Sequence, residues 1–161
     1  MFIEKICVAT DGSDLAVRAA QLAVLLARTG GGRIVAFSVA QPQFSLPPDG
    51  ASSSGLGNEI SLALSAAGAH VDTVARIAHA GGVACEVVTR LASAPGPEIV
   101  RTAVDHACDL IIMGAHGPGD ANRRAAGSTA QYMLARSPLP VLVYRDPREA
   151  SPPEFHDENT P

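Results

Sequence analysis

Five short apolar segments alternate along the chain with longer segments of helical periodicity, and this alternation limits the fold more than any other sequence feature. Continuous apolar, β-branched runs are typical of strands that are buried on both faces of a sheet. Strands that alternate with helices imply parallel pairing with right-handed crossovers. We therefore predict an α/β domain with a Rossmann-like open five-stranded parallel sheet and helices on both faces. The predicted strands are Phe2–Thr10, Arg33–Ala40, Val83–Thr89, Asp109–Met113 and Pro140–Arg145.

The segments between these strands begin and end with residues that are typical of helix boundaries. Ser13 and Asp14 are suitable N-cap residues for a first helix, which Gly30–Gly32 end. Residues 41–57 are rich in Pro, Ser and Gly, which predicts a loop before the second helix. Pro97 is expected at the first position of the third helix. The predicted helices run over about 14–29, 58–80, 97–107 and 127–136.

The charge distribution separates a neutral body from an acidic tail. The 161 residues carry a formal net charge of −4, and residues 146–161 contain five acidic residues and one arginine. Residues 1–145 are therefore balanced, and they lack the basic surface expected of a nucleic-acid-binding protein. We expect a single domain over 1–145 and a disordered, solubilising tail over 146–161, with a regulatory or partner-binding role of the tail as the alternative.

The cysteines and histidines indicate neither a metal site nor a redox site. Cys7, Cys85 and Cys108 lie in separate apolar stretches, with no CxxC pair and no histidine at ligand spacing. We expect free buried thiols in a reducing compartment. No apolar run approaches the roughly 18 residues of a membrane span, and no signal-peptide pattern is present at the start. The sequence therefore predicts a cytoplasmic protein without a membrane segment.

A glycine-rich segment follows the fourth predicted strand. Gly114-Ala115-His116-Gly117 comes directly after it, and Gly127-Ser128-Thr129 opens the next helix ten residues after Gly117. Glycines let a backbone approach an anion closely, and a helix N-terminus adds free N–H donors and partial positive charge. Ligands of parallel sheets bind beyond the carboxyl ends of the strands, which here means the loops after Ala9, Val39 and Met113. We predict a phosphate site that needs no lysine.

Glycines also have purely structural uses, and each of these glycines could serve only a tight turn or close helix packing. The combined spacing G-x2-G-x9-G-S after a buried strand is much less common than a lone GxxG. No GxxxxGK[ST] sequence is present, so the segment is not a P-loop.

This spacing resembles that of the ATP-binding members of the universal stress protein family. Gly114, Gly117, Gly127 and Ser128 match their G-x2-G-x9-G-[ST] pattern, and the VATDGS segment that ends at Ser13 resembles the family's opening strand and turn. The last predicted strand, with its Pro-Val-Leu-Val sequence, is also similar, so the resemblance covers about residues 2–145. It implies the strand order 3-2-1-4-5.

The resemblance further implies which residues contact an adenine nucleotide. Asp11 and Thr10 would take the adenine or ribose edge, the backbone of Val39 would bind adenine, and Met113 with Gly114 would line the ribose. The residues implied around the phosphates are His116, Gly117, Gly127, Ser128 and Thr129; Ala9 completes the set at the end of the first strand. Two simpler roles remain open. Asp11 could serve merely as a cap of the first helix, although Ser13 and Asp14 already supply one, and His116 is expected to be a neighbour of the phosphates rather than a general base.

The nine residues between Gly117 and Gly127 depart from the family pattern. Pro118–Ala126 contains few bulky apolar residues, which predicts a mobile flap and weaker binding. Arg123 or Arg124 is an alternative phosphate contact, although solvated surface arginines are the simpler interpretation. Asp120 is a candidate for helping to hold Mg²⁺. A single carboxylate is too few ligands to define a metal site, so no dedicated metal site is predicted.

The function predicted from the sequence is ATP binding by a small dimeric regulatory protein, with AMP or ADP as alternative ligands and Mg²⁺ as an accompanying ion. Lys5, the only lysine, lies in the first strand, and no arginine finger or placed base is evident, so little or no turnover is expected. The alternatives are a slow ATPase or autophosphorylating enzyme with Ser128 or Thr129 as acceptor, and an interaction module without nucleotide. The apolar edge strand over 140–145 predicts a homodimer, which is also the usual assembly of the family.

Overall fold

The structure is a computed structural model, and it describes residues 2–43, 54–120 and 125–149. Strands and helices alternate throughout, and all strand pairs are parallel. The strand order β3-β2-β1-β4-β5 confirms the predicted fold class and the order implied by the family resemblance. The elements are β1 Lys5–Ala9, α1 Asp14–Gly30, β2 Arg33–Ala40, α2 Ser54–Ala80, β3 Cys85–Leu91, α3 Pro95–Asp105, β4 Leu110–Gly114, α4 Ser128–Arg136 and β5 Val141–Tyr144.

The sheet separates two hydrophobic cores, and β1 is its central strand. Val8 pairs with Ala36 of β2 on one side and with Ile112 of β4 on the other. Side chains alternate between the faces of a strand, so neighbouring residues of β1 enter different cores. The core that contains α1 and α2 includes Ile6, Val8, Ala19, Ala23, Val71 and Val74. The core that contains α3 and α4 includes Cys7, Phe37, Ile99, Ala103 and Met133.

The first helix begins and ends at the residues that its sequence predicts. The Ser13 hydroxyl oxygen accepts a hydrogen bond from the Ala16 N–H at 3.2 Å, which satisfies one of the free donors of the first turn. Gly31 ends the helix in the left-handed conformation at φ 69°. The N-cap residue Ser13, four residues after the end of β1, fixes the start of α1.

Several element boundaries differ from the predictions, and β1 begins at Lys5 rather than Phe2. Helix α2 already includes residues 54–57, which were predicted as loop; residues 44–53 of that loop lie outside the described residues. Strand β3 begins at Cys85 rather than Val83, because the Val83 N–H donates to the Ala78 carbonyl oxygen and belongs to the end of α2. Helix α3 begins at Pro95 rather than Pro97, with Ala94 as its N-cap.

The cysteines are all free thiols, as predicted, but Cys85 is only half-buried. Its strand lies at the edge of the sheet, where side chains are partly exposed. Cys7 and Cys108 are buried, and the hydrogen bond between them together with burial holds the pKa of the Cys7 thiol well above its usual value. Such a thiol is unreactive at neutral pH.

The segment after β5 packs on the domain, although the sequence predicted disorder from Asp146 onward. The Asp146 carboxylate lies 3.2 Å from the Arg18 guanidinium of α1 and 2.6 Å from that of Arg148. Asp146 is only 8% exposed, so residues 146–149 belong to the folded domain. Residues 150–161 lie outside the described residues. None of the helices in the described ranges has the length and hydropathy that crossing a membrane requires.

Candidate ligand-binding cavity

A cavity of about 380 Å³ opens where the strand order reverses, at the carboxyl ends of β1, β2 and β4. Ligand sites in open parallel sheets occur at this switch point, since neighbouring loops diverge there to opposite faces. The volume lies within the range of small-molecule pockets. All eleven residues selected from the sequence line it: Ala9, Thr10, Asp11, Val39, Met113, Gly114, His116, Gly117, Gly127, Ser128 and Thr129.

One end of the cavity is apolar. Phe37 is fully buried beneath it, and Met113 is only 6% exposed. Val39 packs against the same core from the end of β2. Pro95 and Ile99, in the first turns of α3, complete this wall.

The sequence did not indicate that residues of α3 belong to the site. Neither Pro95 nor Ile99 has a chemical group that suggests ligand binding, because an apolar residue at a helix start is explained by packing alone. A topological signal was nevertheless present. Helix α3 follows the carboxyl end of β3, so its first turn must lie at the same edge of the sheet as the loops after β1, β2 and β4.

Hydrogen bonds hold the loop between β1 and α1 at the cavity mouth. The Thr10 N–H donates to the Phe37 carbonyl oxygen at 2.9 Å, and the Gly12 N–H donates to the Thr10 hydroxyl at 3.2 Å. Asp11 Oδ1 accepts from the Ser13 N–H at 3.0 Å. Asp11 therefore does fold into the turn before α1, yet its exposed side chain also lines the cavity.

One main-chain hydrogen bond joins the two halves of the glycine-rich segment, and another joins its first half to β5. The Ala115 N–H donates to the Tyr144 carbonyl oxygen at 2.9 Å, and the Gly127 N–H donates to the Ala115 carbonyl oxygen at 2.7 Å. These bonds bring Gly117 and Gly127 to the same end of the cavity. Arg123 and Arg124, the alternative phosphate contacts, lie outside the described residues.

The N-terminus of α4 faces this polar end. Gly127 is the N-cap residue and has no side chain with which to cap the first turn. The first N–H groups of a helix lack partners within the helix, and they attract anions. Ser128 is exposed and Thr129 is half-exposed, so both hydroxyl groups are accessible from the cavity.

His116 is oriented by an acidic residue from beyond β5. Its Nε2 atom lies 2.7 Å from Glu149 Oε2, and its side chain is only 7% exposed. No sequence signal indicated a residue that orients this ring, because Glu149 is distant along the chain and lies in the segment that was predicted to be disordered. The contact fixes the ring beside the polar end of the cavity.

The described lining contains carboxylates but neither lysine nor arginine. Asp11 and Asp120 both approach Gly117, and a Cβ atom at Gly117 would lie 2.8 Å from Asp11 Oδ2. Among the described residues, no three histidine, cysteine or acidic side chains are grouped as ligands for a metal ion. The donors that this end offers to an anion are therefore main-chain N–H groups and hydroxyl groups.

A cavity at the switch point of a parallel sheet that is apolar at one end and has main-chain donors at the other is typical of nucleotide-binding α/β proteins. Residues 3–145 match the Universal stress protein family, and the chain belongs to that family. Universal stress protein MJ0531 of Methanocaldococcus jannaschii is 31% identical over 149 residues, which cover 91% of this chain and 84% of that protein. The structure of universal stress protein UspA from Lactobacillus plantarum has a TM-score of 0.72 and 27% identity, covering 90% of this chain and 99% of that one.

Similar solved structures also include complexes with adenine nucleotides. A universal stress protein in complex with cAMP has a TM-score of 0.66 at 24% identity, covering 90% of this chain and 99% of that one. One from Archaeoglobus fulgidus in complex with dAMP has a TM-score of 0.59 at 23% identity, covering 90% of this chain and 100% of that one. At these sequence identities, the structural similarity shows only that this chain shares their fold.

Proposed function

We propose that this protein binds an adenine nucleotide in the cavity at the switch point, with ATP as the principal ligand and AMP or ADP as alternatives. The observation that carries the proposal is that all eleven residues selected from the sequence line one cavity, which is apolar at one end and has the N-terminus of α4 at the other. The cAMP and dAMP complexes of similar proteins support the same class of ligand.

The proposed orientation follows from the chemistry of the two ends. The adenine ring lies against the apolar wall of Met113 and Ile99, and the backbone of Val39 supplies its hydrogen bonds. The ribose passes Gly114, and the phosphates approach Gly117 and the N-terminus of α4, whose N–H groups attract anions. Mg²⁺ accompanies the phosphates of ATP in this proposal.

We further propose that binding is regulatory and that turnover is slow or absent. The described lining offers no lysine or arginine to neutralise charge that develops on a transferring phosphoryl group. His116 Nε2 is engaged by Glu149 rather than directed at a nucleophile. The competing function, a slow ATPase or autophosphorylating enzyme, uses the accessible hydroxyl group of Ser128 or Thr129 as acceptor.

A homodimer through residues 140–145 is the proposed assembly. Strand β5 lies at the edge of the sheet, and its four residues are only half-buried. An apolar strand with a free edge pairs readily with another strand. Antiparallel pairing of two such edges across a two-fold axis would cover both.

Mass spectrometry of the purified protein under denaturing conditions tests ligand identity directly, since a nucleotide that co-purifies is released and weighed. Calorimetric titration with ATP, ADP and AMP then gives the affinities. If no nucleotide co-purifies and none binds or raises the melting temperature, the protein is an interaction module and the proposal is wrong.

Steady-state ATP hydrolysis by the wild type and by Ser128→Ala separates binding from turnover. Absent or very slow hydrolysis in both proteins is expected for a regulatory protein. Robust hydrolysis that Ser128→Ala abolishes would identify an enzyme instead.

A further inference from the structure

The Asp120 carboxylate lies between the two glycines of the phosphate-binding pattern. Asp120 Oδ2 accepts a hydrogen bond from the Gly117 N–H at 2.6 Å. The same oxygen would lie 2.5 Å from a Cβ atom at Gly127, and the carboxyl carbon would lie 3.2 Å from it. The carboxylate is therefore in contact with both ends of the glycine-rich segment.

This position is the one that an external anion would take. The Gly117 N–H is a donor directed at the polar end of the cavity, and the N-terminus of α4 begins directly after Gly127. A negative group at this place is stabilised by the helix dipole and by the N–H donor. An aspartate of the chain itself already supplies that negative group.

We propose that Asp120 determines specificity by competing with the phosphates of the ligand for this position. The inference rests on the proposed function for the identity of the ligand. A phosphate can take the position only if the Asp120 carboxylate gives up the Gly117 N–H and moves away. Asp120 thereby reduces the affinity gained from the phosphate group that takes this position, while the contacts of the adenosine part are untouched.

The neighbouring charge strengthens this competition. Asp11 Oδ2 also approaches Gly117, within 2.8 Å of the position of a Cβ atom there. A phosphate that entered without displacing Asp120 would therefore meet two carboxylates, and like charges at such short separations repel strongly. Within the described lining no lysine or arginine offsets them.

The variant Asp120→Asn tests the competition with little change in shape. Its amide oxygen can still accept from the Gly117 N–H, but the negative charge is gone. We expect calorimetric titration to show that ATP and AMP bind about tenfold more tightly or better, whereas adenosine binds within about twofold of the wild type. Asp72→Asn is the matched control, because Asp72 is exposed on α2, outside this cavity, and loses the same charge. Its affinities should equal those of the wild type.

Unchanged or weakened binding of ATP and AMP by Asp120→Asn, with adenosine binding intact, would overturn the inference and leave the proposed function standing. Weakening that occurs only in the presence of Mg²⁺ would show that Asp120 is a metal ligand, which overturns it as well. Inorganic tripolyphosphate is the probe that does not depend on adenine, and Asp120→Asn should bind it more tightly than the wild type does. If that difference appears while no adenosine compound binds either protein, the proposed function fails and the competition stands. If tripolyphosphate and the adenosine compounds all fail to bind both proteins, both proposals are wrong.

Discussion

His116 Nε2 lies 2.7 Å from Glu149 Oε2, so a ring that lines the cavity is held by a carboxylate from the segment after β5. The same segment is anchored to α1 by Asp146, whose carboxylate lies 3.2 Å from the Arg18 guanidinium. Two contacts from one short segment therefore connect the polar end of the cavity to the helix on the opposite face of the sheet. The segment after β5 is therefore part of the support of the site.

Replacing Glu149 by glutamine should loosen this support. We expect a loss of about 1 kcal/mol in the free energy of unfolding, because a partly buried hydrogen bond to a charged group is weakened. Amide hydrogen exchange at Gly117 and in residues 146–149 should become faster. Glu86→Gln is the control, since Glu86 contacts His106 at 3.2 Å but is 57% exposed and should contribute little. Equal effects of the two substitutions would contradict the assigned role of Glu149.

The contacts of Asp146 should make stability depend on pH in a defined direction. Hydrogen bonds from the Arg148 side chain and backbone, with the charges of Arg148 and Arg18, hold the pKa of the Asp146 carboxyl well below its usual range. A carboxyl whose pKa is lower in the folded state stabilises the protein above its unfolded value of about 3.9, and this stabilisation is lost as the pH falls through the folded-state pKa. The melting temperature of the wild type should therefore exceed that of Asp146→Asn at neutral pH, and the difference should shrink below about pH 4. A difference that grew on acidification would refute the assignment.

Gly12 lies close to His70 and also has a positive φ. The cost of a steric clash at Gly12 can be measured separately from the cost of backbone strain. Gly12 has φ 79°, and an added Cβ atom would meet the His70 ring, whereas Gly31 has φ 69° and nothing within 4 Å. Gly31→Ala should cost about 1–2 kcal/mol of stability from the left-handed conformation alone. Gly12→Ala should cost more, and His70→Ala in that background should restore the excess. Equal losses at the two glycines in chemical denaturation would show that the ring yields without cost.

The sheet could be predicted from the sequence because its signals are continuous along the chain. Runs such as Ile6–Ala9 are apolar enough to require burial on both faces, and the alternation with helices leaves few topologies. The glycine-rich end of the cavity could be predicted because glycine and a helix N-terminus carry chemistry of their own, whereas Asp11, Val39 and Met113 were implied by the family resemblance. The boundary at Val83 was wrong, since the same apolar character suits a strand start and a helix end that packs on the core.

The interactions that adjust the site could not be predicted. Asp120 reaches Gly127 across a loop whose local structure no periodicity defines, and the contact depends on one side-chain conformation. Glu149 and His116 are 33 residues apart, and the acidic composition of the segment indicated solvation rather than docking. Such contacts between distant residues depend on the complete fold, whereas secondary-structure patterns are local.

A negative charge at Ser128 should affect folding and binding in opposite directions. Ser128 is the first residue of α4, so Ser128→Asp should raise stability by about 0.3–1 kcal/mol through the helix dipole. If the phosphates of the ligand bind at the same helix end, the new carboxylate should weaken ATP binding by about tenfold. Ser128→Asn, which adds similar volume without charge, is the control. Thermal denaturation and calorimetric titration of the same samples measure both effects, and unchanged ATP affinity in Ser128→Asp would place the phosphates elsewhere.

The outward edge of β5 allows a test of the proposed dimer that leaves the hydrogen bonds between β4 and β5 intact. The carbonyl oxygens of Pro140 and Tyr144 accept hydrogen bonds from the N–H groups of Ile111 and Ala115, so the backbone groups of alternate residues, including Val143, point outward. Val143→Pro removes an outward N–H and should convert a dimer to a monomer in light scattering at the same concentration. Val87→Pro makes the equivalent change at the other edge of the sheet, in β3, and should leave the dimer intact. A Val143→Pro protein that remains dimeric would exclude strand pairing through β5, because proline cannot donate the hydrogen bond on which that pairing depends.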